Sequence, residues 1–152
     1  KGKLTVGVAA NNGTVVETLT LIGQASTNTV NVGINDTTPL SPLSVGGAMS
    51  LPIRLDTGTT QTLGVTDYCL IVNNSSASTV TLPALSTVGD GRIYRIVSHQ
   101  ANLIIDGNSS EEIEVVNGVS AVTYAVDPVG WIDIMSYNTG SVWKLIGKGS
   151  LG

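Results

Sequence analysis

The stretch "LPALSTVGDGRIYRIV", residues 82–97, shows how much of this chain is built. A Leu-Pro pair ends one run in which apolar and polar residues alternate, and "GRIYRIV" begins another after Asp90. Alternation at period two is typical of a half-buried strand, whereas Gly, Asp and Pro mark turns. The stretch predicts two strands joined by a loop, with at most one turn of helix near Leu85 to Val88.

The same pattern of alternating runs bounded by turn residues recurs along the chain and predicts an all-β protein. Val, Ile and Thr are abundant, and they favour pleated strands over helices because branching at Cβ restricts side-chain rotation. No window has apolar residues at helical spacing over three turns. Turn signals separate the runs at residues 11–13, 90–91, 106–108 and 117–118. The alternating runs are "KLTVGV", "TVVETLTLI", "STVTLP", "GRIYRIV", "EIEVV", "GWIDIM" and "SVWKLIG".

The two halves of the sequence differ in residue composition. Residues 1–62 contain no aromatic residue and few long apolar side chains, so this part cannot build much core by itself. Pro39 and Pro42 exclude a central strand, and Gly46 and Gly47 permit a sharp change of direction. We place the boundary between Gly47 and Gly64, and predict a connector segment at 1–55 and a compact β domain at 56–152.

Composition excludes two classes of partner. The net charge is -4 and the seven basic residues are scattered, which gives no electrostatic footprint for nucleic acid. No run approaches the roughly 20 apolar residues of a membrane span, so we expect no membrane insertion. Charged residues make up only 12%, against about a quarter in ordinary domains. Such a surface suits a chain whose apolar faces close against copies of itself.

No catalytic or metal-binding constellation is evident. His99 is the only histidine, so a multi-histidine zinc site is excluded, and Ser98 beside it points to the opposite strand face. Glu112 and Glu114 share one strand face, where a calcium site or a glycosidase pair is conceivable, but a solvated face is the simpler interpretation. A metal ion on a trimer axis is a further alternative. We expect no enzyme activity, no cofactor and no bound metal.

The remaining chemistry-bearing residues divide into core and exposed groups. Trp143 and Leu145 share a strand face and are predicted to be core, and Cys69 in "DYCLIV" is predicted to be a small buried apolar group. Polar loop tips on a rigid β domain are where recognition usually occurs. The candidate contacts for a receptor or glycan are Tyr137, Asn138, Asn73, Asn74 and Asn108.

Two segments resemble the trimeric fibre and tail-appendage proteins of phages and large viruses. The first is "VGINDTTPLSPLSVGGAMSL", residues 32–51, which is similar to that family's Gly-Ile-Gly-Thr, Pro, Leu-x-Val-x-Gly junction between shaft and head. Asn35 stands where the family pattern has its second glycine. The second segment is residues 68–147, with a Leu-Pro strand, a Gly-aromatic strand, an Asp-Gly turn and a closing "GSVWKLIG".

The resemblance implies a homotrimeric fibre with an intertwined N-terminal shaft segment and a C-terminal head, an antiparallel β-sandwich or barrel. It implies a virion-surface protein that contacts other virion proteins and attaches to a host receptor or glycan. Three copies would also cover one another's strand edges, which promote aggregation when they are exposed. Two alternatives are a monomeric secreted carbohydrate-binding module, marked by an exposed aromatic pair and a single-chain mass, and a fragment of a polysaccharide depolymerase.

Overall fold

The computed structural model describes residues 3–9, 15–23, 30–99, 103–116, 119–126 and 129–151. The chain divides into two compact units, Lys1–Ser50 and Leu51–Gly152. Both consist of strands, so the all-β prediction is confirmed. The predicted helical turn is also confirmed, as α1 (Leu85–Val88). The turn signals at 11–13 and 117–118 lie outside the described residues.

The first unit is a sheet of four strands in the order β1-β2-β3-β4. Strands β1, β2 and β3 form antiparallel pairs, and β4 pairs with β3 in parallel. The strands are β1 (Lys3–Ala9), β2 (Val15–Gly23), β3 (Val30–Ile34) and β4 (Leu43–Val45).

Pro39 and Pro42 lie in the loop between β3 and β4, outside the strands, as predicted. This loop packs on one face of β3. Asn31 donates its side-chain amide to the Pro39 carbonyl at 2.9 Å. Gly33 is required at this contact, because a Cβ there would lie 2.1 Å from the Asp36 carbonyl oxygen. Asn35 has a φ of 53° and donates to the Gly46 carbonyl at 3.0 Å. Asparagine adopts this left-handed conformation more readily than most residues, so the backbone can turn here without a glycine.

The second unit contains two sheets. The larger has seven strands in the order β12-β11-β15-β14-β9-β7-β5, and the smaller has four in the order β13-β10-β8-β6. Its elements besides α1 are β5 (Ile53–Asp56), β6 (Thr60–Thr62), β7 (Cys69–Val72), β8 (Ser78–Thr81), β9 (Ile93–Ser98), β10 (Leu103–Asp106), β11 (Glu112–Val116), β12 (Val119–Ala121), β13 (Thr123–Val126), β14 (Gly130–Tyr137), a 3₁₀ turn (Asn138–Gly140) and β15 (Val142–Ser150).

The prediction of an antiparallel head is wrong. The chain alternates between the sheets, so β5, β7 and β9 lie side by side in parallel in the larger sheet, and β6, β8 and β10 do so in the smaller. Antiparallel pairing in this unit begins with β11 and β12, and it also joins β13 to β10 and β14 to both β9 and β15. Period-two alternation specifies which face a side chain occupies but not the direction of the neighbouring strand, and the turns here lead across to the other sheet.

The core lies between the two sheets of the second unit. Every residue of the buried apolar cluster in the described part of the chain belongs to this unit. Trp143 is fully buried and Leu145 packs against the cluster, as predicted, and Cys69 is buried as well. The rings of Tyr94 and Trp143 lie 5.9 Å apart at 50°, a tilted arrangement typical of aromatic pairs. Leu51–Leu55 lie outside this core but fall in the second unit, where β5 pairs with β7.

Glu111 links the helical turn to the core. Its carboxylate accepts hydrogen bonds from the Leu85 backbone N–H at 2.9 Å and from Trp143 Nε1 at 3.3 Å. Ala84, at the N-cap of α1, supplies no side-chain cap, so a residue distant in sequence does this. No sequence pattern within α1 indicated this contact.

We predict that Glu111→Ala lowers the free energy of unfolding by about 1–3 kcal/mol, because two buried donors lose their acceptor. Glu111→Gln, which keeps one acceptor oxygen, should lose less. Urea unfolding followed by tryptophan fluorescence measures both. Glu112→Ala is the matched control, since Glu112 is exposed and bonds to Ser120. Equal losses in Glu111→Ala and the control would contradict the assignment.

A second prediction concerns pH and the β3–β4 loop. Hydrogen bonds from the Ser44 hydroxyl, and secondarily from the Thr38 backbone N–H, lower the pKa of Asp36 below its ordinary 3.8. The ionised carboxylate therefore contributes stability above pH 3.8, and this contribution is lost as the pH falls through the folded-state pKa. Thermal unfolding of the parent and Asp36→Asn proteins at pH 7 and below pH 3.8 should show a smaller acid-induced loss in the variant. Identical acid losses would show that Asp36 contributes nothing.

Candidate functional site

The five predicted contact residues lie at two opposite ends of the second unit. Strands β7 and β9 run in parallel and β14 runs against them, so Asn73 follows β7 at one end and Tyr137 closes β14 at the other. Asn138 adjoins Tyr137. Asn108 is at the Tyr137 end as well, because it bonds to Leu82 ahead of α1. We call these the Tyr137 end and the Asn73 end; the structure does not bring all five residues together.

Two of the asparagines stabilise turns. Asn74 donates to the Thr57 carbonyl at 2.6 Å and accepts from the Ser76 N–H at 2.8 Å, so both ends of its amide are used. Asn108 donates its amide to the Leu82 carbonyl at 3.3 Å. These bonds leave the two side chains little freedom to rearrange around a ligand. Asn73, by contrast, has an exposed side chain.

Tyr137 is the aromatic residue of the predicted set, and its neighbours fix the position of its ring. Its side chain is 42% exposed, and its ring lies on Gly140, where a Cβ would come within 2.4 Å of Cδ1 and Cε1. Lys144 Nζ lies 5.5 Å from the ring centroid and forms an ion pair with Glu114 at 2.5 Å. Gly140 and the paired ammonium group of Lys144 thus fix the position of the ring, and part of the ring is open to solvent.

The turn that carries Asn138 is anchored from the neighbouring loop. The Asp90 carboxylate accepts the Thr139 hydroxyl at 2.5 Å and the Thr139 N–H at 3.1 Å, and these bonds lower the pKa of Asp90. Ser136, which is buried, donates to the Gly89 carbonyl at 2.6 Å and accepts the Arg92 N–H at 2.9 Å. The "VGDGR" stretch therefore positions the Tyr137 end, and Asn138 is exposed on a fixed turn.

A second cluster lies on the outward face of β14, and it was not among the sites predicted from the sequence. Arg95 on β9 lies opposite Asp133 on β14 and forms two hydrogen bonds with its carboxylate, Nε at 2.7 Å and Nη2 at 2.6 Å. The Arg95 guanidinium also lies 5.1 Å from the centroid of the Trp131 ring. The carboxylate raises the pKa of Arg95, so the guanidinium stays charged.

The signal for this cluster was present in the sequence. In "GWIDIMSY" the residues Trp131, Asp133, Met135 and Tyr137 alternate with apolar or small partners, so they share one strand face. The register that places Arg95 beside Asp133 is a tertiary feature, because the two residues are 38 positions apart.

The groups weighed for catalysis are separated or engaged elsewhere. His99 is exposed at the Asn73 end, where its N–H bonds to the Val72 carbonyl at 3.0 Å. Glu112 accepts the Ser120 hydroxyl, and Glu114 is paired with Lys144. Within the described ranges no group of three or more His, Cys, Asp or Glu side chains is placed to hold a metal ion. Nor is any described helix long and apolar enough to cross a membrane.

No protein-family model matches the chain, and no curated protein sequence matches it either.

Proposed function

We propose that this chain is a structural and attachment protein of a virion surface, which assembles as a homotrimer and binds a host receptor or glycan through its second unit. The observation that carries the proposal is an apolar face on the first unit. The trimeric state is taken from the resemblance to fibre proteins, and the apolar face gives it a physical reason.

The strand register aligns eight apolar side chains on one face of the four-stranded sheet. Such a face on a single layer is unstable in water unless something covers it. Within the described part of this unit, the loop between β3 and β4 packs on the other face. The eight residues form two rows, Leu4, Leu21, Val32 and Leu43 in one and Val6, Leu19, Ile34 and Val45 in the other.

The exposure of this face is large for a soluble sheet. Leu4 and Leu43 are each 58% exposed and Ile34 is 45% exposed. Burying such a side chain completely contributes about 1.5–3 kcal/mol of stability. Three copies that cover one another's apolar faces would therefore be more stable than three separate chains. None of these eight side chains is charged, so two copies of the rows would meet no charge repulsion from them.

Attachment would follow from the trimer. Three copies present three identical Tyr137 ends, and weak contacts to a repeated surface molecule then add through effective concentration. The fixed turns around Tyr137 and Asn138 support this role, because little ordering entropy is lost when the ligand binds.

A second candidate function is a monomeric secreted carbohydrate-binding module. The observation that favours it is the placement of Trp131 and Tyr137 on the outward face of one strand, since such a module needs an aromatic pair. The mass in solution separates the two functions.

We predict that light scattering of the full chain gives three times the chain mass of 15.6 kDa. Ile34→Glu should shift this to the single-chain mass, because an unpaired charge in the shared face costs several kcal/mol. Circular dichroism would confirm that the variant keeps its strands.

Leu40→Glu is the matched control. Leu40 is 98% exposed on the loop that packs against the other face of β3, so this variant should remain trimeric. A single-chain mass for the unmodified protein would refute the trimer and favour the carbohydrate-binding module.

A further inference from the structure

The outward face of β14 carries two recognition clusters in line. Ile132, Ile134 and Ser136 point into the core, so the alternate residues from Trp131 to Tyr137 point outward. Tyr137 lies six positions after Trp131 along the strand, which corresponds to about 20 Å. We call this outward face, with Arg95 and Lys144 beside it, the β14 stripe.

The Arg95 end of the stripe is preorganised for hydrogen bonding. Two of the five N–H groups of its guanidinium bond to Asp133, and stacking on Trp131 fixes the plane of the group. The remaining N–H groups have no acceptor in the described parts of the chain. They form a rigid, solvent-facing set of donors beside a carboxylate that can accept, which is the pairing that sugar hydroxyls require.

The glycines of β15 make this arrangement possible. The Trp131 ring lies flat across Gly147 and Gly149, because a Cβ at Gly149 would be only 2.7 Å from Nε1 and one at Gly147 would be 3.3 Å from Cζ3. Any larger residue at 149 would lift the indole and with it the guanidinium. The cluster is therefore a built feature of three adjacent strands.

The charges along the stripe cancel locally. Arg95 is paired with Asp133 and Lys144 with Glu114, so each cation has an anion within 3 Å. A polyanionic ligand would meet both carboxylates, and a purely apolar partner would have to cover four charged groups. An uncharged polyhydroxyl chain meets neither cost, since its hydroxyls can both donate and accept while a sugar face stacks on Tyr137.

We propose that the β14 stripe binds a neutral oligosaccharide lengthwise, with one sugar ring on Tyr137 and the hydroxyls of another at Arg95 and Asp133. This inference rests on the attachment role proposed above and names its ligand class. It places the principal polar contacts at residues outside the loops, on the rigid sheet itself.

The test uses the full chain on an array of neutral oligosaccharides of increasing length, with uronic-acid and sialylated chains printed beside them. Binding to neutral chains should strengthen with length until a chain reaches both clusters. Tyr137→Ala should weaken binding about tenfold, the loss of one stacking contact, while Tyr137→Phe keeps the ring and stays near the parent affinity. Arg95→Lys keeps the charge but loses the planar fork, and should weaken binding by a similar factor.

Lys148→Ala is the control, because Lys148 pairs with the inward-facing Ile132 and so lies on the opposite face of β15. Light scattering on every variant reports the trimer separately. Unchanged binding in Tyr137→Ala and Arg95→Lys, no binding to any neutral chain, or binding to acidic chains alone would each overturn the glycan assignment. A trimer accompanied by any of these results would leave the assembly proposal intact.

Discussion

The structure depends on one constraint: most strands have an apolar face, and that face must be removed from water. In the second unit two sheets meet this requirement, because the inward residues of the larger sheet pack against those of the smaller one. In the first unit the eight aligned apolar residues have no second layer of strands or helices among the described residues of that unit. The same period-two pattern thus produces a closed core in one unit and an open apolar face in the other. The functional proposal follows from that difference.

The way the chain winds explains why the second unit has such short strands. From β5 to β10 the chain crosses to the other sheet after every strand, so the turns stack at the two ends of the unit. Side-chain amides and carboxylates then hold these turns, as Asn74 does at one end and Glu111 at the other. The polar residues that suggested recognition loops in the sequence are in part the residues that keep the turns together.

The recognition surface proposed above consequently lies on the sheet of the second unit and not on its loops. Strand β14 has a paired neighbour on each side, β9 and β15, and the glycines of β15 allow aromatic side chains to lie against the sheet. A ligand that binds there meets groups that are already oriented, so the binding free energy is not spent on ordering side chains. Local charge pairing also balances the two cations of this surface with two carboxylates.

The sequence by itself determined the strand content, the single helical turn, the proline loop and the burial of Trp143, because all of these follow from local residue preferences and alternation. It also predicted that Tyr137 is exposed. It did not determine strand direction, the cap that Glu111 provides for α1, or the Arg95–Asp133 pair. Those features depend on which distant segments become neighbours, and a period of two gives the face of each side chain but carries no information about its partner across the sheet.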